Sequence, residues 1–114
     1  MKLTPVIRPA AQTEIDAQAD YLALHASDVT ASRFFEALAS TIDGLSGAPR
    51  IGAPWDSPHP QLQGIRHCAV RGFPNLLIFY RATDEILEVL HLYHGKQNIA
   101  ARLDDEADSP DDAP

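Results

Sequence analysis

Four prolines, Pro49, Pro54, Pro58 and Pro60, fall between Ala48 and Gln63 and constrain the fold more than any other feature of the chain. Each removes a backbone donor and fixes its own φ, so neither a helix nor a central strand can run through the stretch. It reads as an ordered loop anchored by Trp55, and it divides a half patterned for helices from a half patterned for strands.

On the N-terminal side, Leu3 to Arg8 contains Val6 and Ile7 and runs into Pro9, the signature of a short strand that stops where a helix begins. Pro5 fits only an edge or the first residues of a strand. From Pro9 to about Ala26, Ala11, Ile15, Ala19, Leu22 and Ala26 recur at helical spacing, while Glu14, Asp16 and Asp20 lie off the stripe as acids of the first turns, where the helix dipole favours them. Ser27 is placed to cap a second helix whose stripe is Phe34, Leu38, Ile42 and Leu45, broadened by Ala31 and Phe35. Gly44, Gly47 and Pro49 are expected to end it. The two helices form a hairpin that needs an apolar partner.

Beyond the prolines come three strand-like runs, Ile65–Arg71, Asn75–Ala82 and Glu85–Tyr93, separated by stretches short enough for antiparallel hairpins. On the first, Arg66, Cys68 and Val70 share one face, with Ile65, His67, Ala69 and Arg71 on the other. On the second, Leu76, Ile78 and Tyr80 oppose Leu77, Phe79 and Arg81. Neither face is purely polar, so one meets the helices and the other meets something else. A short helix from about Gln97 to Leu103 follows. The expected fold is α+β in the order β-α-α-β-β-β, a helical hairpin packed on a small antiparallel sheet. It is one domain over residues 1–103, with a disordered acidic tail over residues 104–114.

The charge partitions in the same way. The net −7 of the 114 residues would by itself argue against nucleic-acid partners, but six acids and no base lie between Asp104 and Pro114. The remaining residues carry nine basic and ten acidic groups, with the basic excess in the strand half. One cysteine, Cys68, cannot close an intrachain bridge and suits a reducing compartment. No apolar run reaches membrane-span length and the N-terminus lacks a signal-peptide stretch, so the expected location is the cytoplasm.

Candidate chemistry is sparse. His91 and His94 lie three apart on a strand and point to opposite faces, so they do not converge on a metal. His67 and Cys68 are adjacent and diverge likewise, which leaves Cys68 a small buried thiol. Asp16 and Asp20, with Glu14, have the spacing of an acid–base pair but read as a solvated helix face. No phosphate-binding glycine loop is present, and neither cofactor nor metal is expected. Arg66, Arg71, Arg81 and Lys96, on or beside the sheet, are the candidates for holding phosphate or an acidic partner.

Four segments then fall into a familiar order: Leu62-Gln63-Gly64-Ile65-Arg66; Arg71-Gly72-Phe73-Pro74 with Ile78-Phe79-Tyr80-Arg81; the strand Ile86 to Leu92; and His94-Gly95-Lys96-Gln97. Together with Ala11, Ile15 and Tyr21 on the first helix, they resemble the RelE/ParE toxin superfamily of bacterial type II toxin–antitoxin systems, over nearly all of residues 3–103. That resemblance implies a cognate antitoxin that folds as it binds, giving a hetero-oligomer.

The superfamily's RelE branch cleaves messenger RNA on the ribosome with arginines, lysines and a C-terminal tyrosine that stabilise charge at the scissile bond. Here the matching positions hold Leu77, Gln97 and Leu103. The resemblance therefore favours the ParE branch, which implies a non-enzymatic inhibitor of DNA gyrase that makes no sequence-specific contact with nucleic acid. A ribonuclease built from Arg66, Arg81, Tyr93, His94 and Lys96 is one alternative, and a degenerate, antitoxin-binding member of the family is another. The expected contact residues are Tyr21, Leu24 and Phe35, beside the helical hairpin, and the sheet cations Arg66, Arg71, Arg81 and Lys96.

Overall fold

A computed structural model describes residues 2–95 and 99–108, with side chains to residue 104. The first strand, β1 (Thr4–Ile7), gives way to α1 (Pro9–His25), with Pro9 at a first-turn position where its missing N–H costs no hydrogen bond. Ala11, Ile15 and Ala19 are its buried stripe. The first turn of α1 contains no acid, so the dipole does not account for Glu14, Asp16 and Asp20, contrary to the sequence reading. α2 (Asp28–Gly47) starts at Ser27, whose hydroxyl accepts the Thr30 N–H at 3.0 Å. Gly44 lies inside α2 rather than ending it, and the helix closes at Ala48, whose N–H returns to the carbonyls of Gly44 and Leu45.

The proline stretch is more structured than a loop. Two single-turn 3-10 helices, Pro49–Ile51 and Pro60–Leu62, flank a two-residue strand, β2 (Ala53–Pro54), which pairs antiparallel with the next strand. Its place at the sheet edge is what makes Pro54 tolerable there. β3 (Arg66–Val70), β4 (Phe73–Ala82) and β5 (Ile86–His94) form a meander, followed by α3 (Ile99–Asp108). The turn between β3 and β4 is Arg71–Gly72, with Gly72 at a φ of 81° that a side chain would strain. α3 runs past Leu103 into the acidic stretch, and residues 109–114 of the predicted tail lie outside the described residues.

The strands are ordered β1-β5-β4-β3-β2. The sheet is mixed rather than wholly antiparallel, because β1 runs parallel to β5 with Thr4 opposite Ile86. Alternation in a sequence reports which face a side chain takes, and says nothing of strand direction.

The hairpin covers one face, where Phe34, Leu38, Ile42 and Leu45 pack on Val70, Ile78, Tyr80, Leu87 and Val89. The opposite face carries a second cluster of Leu62, Ile65, Phe79 and Tyr93, covered by Ile99 and Leu103 of α3 and flanked by Trp55. The expected face parity holds on β3 and β4. Arg71 departs from the reading that set it on the far face with Ile65, His67 and Ala69. It follows the register shift between Ala69 and Val70 into the turn and meets Thr41 and Ser40 of α2 on the hairpin side. On β5 the pairing slips, since Phe79 opposes His91 while Tyr80 opposes Val89. Hairpin-side positions therefore step from Leu87 and Val89 to Leu92, and Leu90 joins the second cluster.

Candidate functional site

β5 outlasts its parallel neighbour. β1 pairs only as far as Val89, where the Arg8 N–H bonds the Val89 carbonyl at 3.0 Å and the chain turns into α1. Beyond that point Glu14 of α1 reaches the open edge of β5. Its Oε1 accepts the Leu92 N–H at 3.1 Å and faces His91 Nδ1 at 3.0 Å. An ionised carboxylate only accepts, so Nδ1 carries the proton. The His91 ring stacks on Tyr93 with centroids 4.6 Å apart, and the Arg102 guanidinium lies 5.9 Å from the Tyr93 centroid. Glu14 is thus no solvated acid. It replaces the missing strand partner, a role hidden from sequence because the contact spans 77 residues.

Next to this edge a groove opens between α1 and the ends of β4 and β5. One part, about 370 Å³, is bounded by Gln18, Tyr21 and Leu22 on one side and Phe73, Leu76 and His94 on the other. An adjoining part of about 300 Å³ shares Tyr21, Leu76 and His94 and extends to Leu92 and Arg102. Tyr21 is 57% exposed and its ring lies 4.4 Å from that of His25. The three expected apolar contacts do not share one groove. Phe35 lines a separate cleft with Ile7, Ile15 and Ile42, and Leu24 projects into solvent at 80% exposure.

The sheet cations are also dispersed. Arg66 donates to the Gly52 carbonyl at 2.7 Å, and beside it the Tyr80 hydroxyl donates to the Pro49 carbonyl at 2.6 Å and accepts the Gly52 N–H at 3.0 Å. These two side chains clamp the first proline turn to the hairpin-side face. Burial raises the Tyr80 phenol above its ordinary value, a shift that the Gly52 N–H partly offsets. Arg71 fastens the β3–β4 turn to α2, its N–H on Thr41 Oγ1 at 3.0 Å and its guanidinium 3.3 Å from Ser40 Oγ. Arg81 lies on the opposite face, donating to the Gln61 carbonyl at 3.2 Å and 3.7 Å from Glu88. Lys96 lies outside the described residues.

The set Arg66, Arg81, Tyr93 and His94 is accordingly not gathered at one point. The arginines occupy different faces, Tyr93 is 3% exposed in the second cluster, and His94 borders the α1 groove. Leu77 and Leu103, where a nuclease of the RelE type carries charge or a phenol, pack in or against that same cluster. Cys68 is half-buried against the hairpin core, and burial raises its thiol above the ordinary value while Arg71 pulls it back. Among the described residues no three His, Cys, Asp or Glu side chains are grouped to hold a metal ion, and no helix is long and apolar enough to cross a membrane.

Residues 6–99 match the family described as ParE toxin of type II toxin-antitoxin system, parDE. The chain belongs to the ParE toxin family. No curated protein matches it by sequence. Among solved structures it is similar to a chain of a chromosomal ParDE toxin–antitoxin system from P. aeruginosa, with a TM-score of 0.65 and 15% identity over 82% of this chain and 96% of that one. At that identity the likeness concerns the fold. The hairpin on a mixed sheet matches that neighbour's fold.

Proposed function

We propose that this ParE-family chain is the toxin of a two-protein pair, that it acts in the cytoplasm by binding DNA gyrase and stalling it on DNA, and that a cognate antitoxin silences it. The observation that carries this reading is the family match along residues 6–99, which takes in both the hairpin and the sheet. The scattering of Arg66, Arg81, Tyr93 and His94 supports inhibition by binding over cleavage, because phosphodiester cleavage needs donors converging on one developing charge. Leu103, buried in the second cluster, and Leu77, partly buried against it, supply none.

For the antitoxin the reading favours the α1 groove. Its Tyr21 wall and Leu76 floor offer apolar area, with Arg102 and His94 at the rim for a segment that orders as it binds. Inducing the chain alone in a bacterial host is expected to arrest growth, and co-expression of its neighbouring small gene to relieve the arrest. In purified form it should block gyrase supercoiling and leave ribosome-bound message uncut. Cut message with normal supercoiling would replace this reading with the ribonuclease one, and no arrest at all would favour a degenerate, antitoxin-binding member.

A further inference from the structure

On the face opposite the hairpin, where α1 begins, a cavity of about 320 Å³ brings basic, acidic and apolar groups together. Its floor is apolar, formed by Leu62, Ile65 and Leu90 with Leu103 of α3 as one wall. At its mouth stand two guanidiniums, Arg8 from the β1–α1 junction and Arg81 from β4, with a single carboxylate, Glu88, between them. Both pairs are loose. Arg8 lies 3.8 Å and Arg81 3.7 Å from the Glu88 oxygens, too long for charge-assisted hydrogen bonds. Among the described residues, two positive charges here face one negative, and apart from the Arg81 bond to the Gln61 carbonyl at 3.2 Å the donors of the two guanidiniums are left for a ligand. The His91 ring borders the cavity, but Glu14 already faces its Nδ1.

From this geometry we infer that the cavity is a binding site for an acidic–apolar peptide segment of a partner protein. A glutamate or aspartate would span Arg8 and Arg81 while a neighbouring aliphatic side chain rests on Leu62, Ile65 and Leu90. The floor selects against a bare anion, which would bury that apolar area against nothing. The site's two cations select against a polyanion such as nucleic acid, which needs many. One carboxylate on an apolar body matches both features. Glu88 acts as an internal competitor, so removing its charge strengthens binding, the reverse of what a merely structural ion pair predicts.

The probe is acetyl-Ala-Leu-Glu-Leu-Ala-amide, titrated at low salt into the full ¹⁵N-labelled chain, with the Gln-for-Glu peptide and inorganic phosphate run in parallel. The side-chain Nε–H resonances of Arg8 and Arg81 should shift together and saturate, and the Gln peptide should bind about tenfold more weakly, the scale of one charged hydrogen bond. Arg81→Gln should weaken binding by a similar factor and Glu88→Gln should tighten it several-fold, with unchanged backbone dispersion showing that each variant is folded. Phosphate binding as tight as the peptide's, shifts centred on Tyr21 and His94 instead, or weaker binding by Glu88→Gln would each overturn the assignment. The readout is binding alone, so it is independent of whether the chain arrests growth.

Discussion

The two faces of the sheet are covered in different ways. On the hairpin face, helices of 17 and 20 residues press an aliphatic stripe onto Val70, Ile78, Leu87 and Val89, and capping and tethering contacts from Ser27, Thr41 and Tyr80 fix their ends. On the other face, one 10-residue helix contributes Ile99 and Leu103 to a surface of Trp55, His67, Phe79 and Tyr93 rings. Acids occupy the C-terminal half of that helix, where its dipole disfavours them, and no basic residue lies in its last turn. The first face is therefore built for stability. The second is held by less, and the candidate peptide cavity opens on that side.

The sharpest break in the comparison is Phe34→Ala. Phe34 is fully buried and meets Phe73 edge-on at 5.7 Å, so its loss should cost about 3–5 kcal/mol in denaturant unfolding. Glu14→Ala should cost about 1–3 kcal/mol, because the Leu92 N–H and His91 lose their acceptor at the β5 edge. A loss below about 0.5 kcal/mol would show that water replaces the carboxylate there.

Tyr80→Phe removes two hydrogen bonds to the proline turn and should cost about 1–2 kcal/mol. It also carries a pH signature. The buried phenol and the Cys68 thiol titrate above their ordinary 10.0 and 9.0, so the fold favours their neutral forms. Their contribution is complete below those values and is lost as pH rises through the raised ones. The unfolding midpoint should fall on going from neutral to strongly alkaline buffer, less steeply in Tyr80→Phe. Leu103→Ala separates the faces directly. Although Leu103 is 2% exposed, the loss is bounded by what docking of α3 contributes, so global stability should change by less than about 1 kcal/mol while α3 amides exchange faster and α2 amides do not. Leu24→Ser, at 80% exposure, should stay within about 0.5 kcal/mol.

Much of this architecture was legible in the residues. The stripe of α2, its Ser27 cap, the meander and the face parity of β3 and β4 all follow from local periodicity, and the motif order pointed to the family that residues 6–99 match. Long-range relations stayed hidden. Nothing in the pattern of β1 tells that it lies parallel to β5, nothing in β5 announces its slip at Leu90, and no local signal joins Glu14 to His91. The arginines misled for a related reason. A guanidinium in a strand looks like a binding group until a backbone carbonyl is found to use it, as that of Gly52 uses Arg66.

The clamp on the first proline turn also bears on how this chain can diverge. Any side chain at Gly52 would run into the Tyr80 hydroxyl and come within 2.8 Å of the His67 carbonyl, which is backbone and cannot swing aside. Losing the Tyr80 hydroxyl alone does not free the position, since the Tyr80 ring carbon and that carbonyl still stand in the way. Among descendants of this sequence, exposed neighbours such as Arg50 and Ile51 are free to drift one at a time, whereas position 52 stays glycine until β3 itself moves.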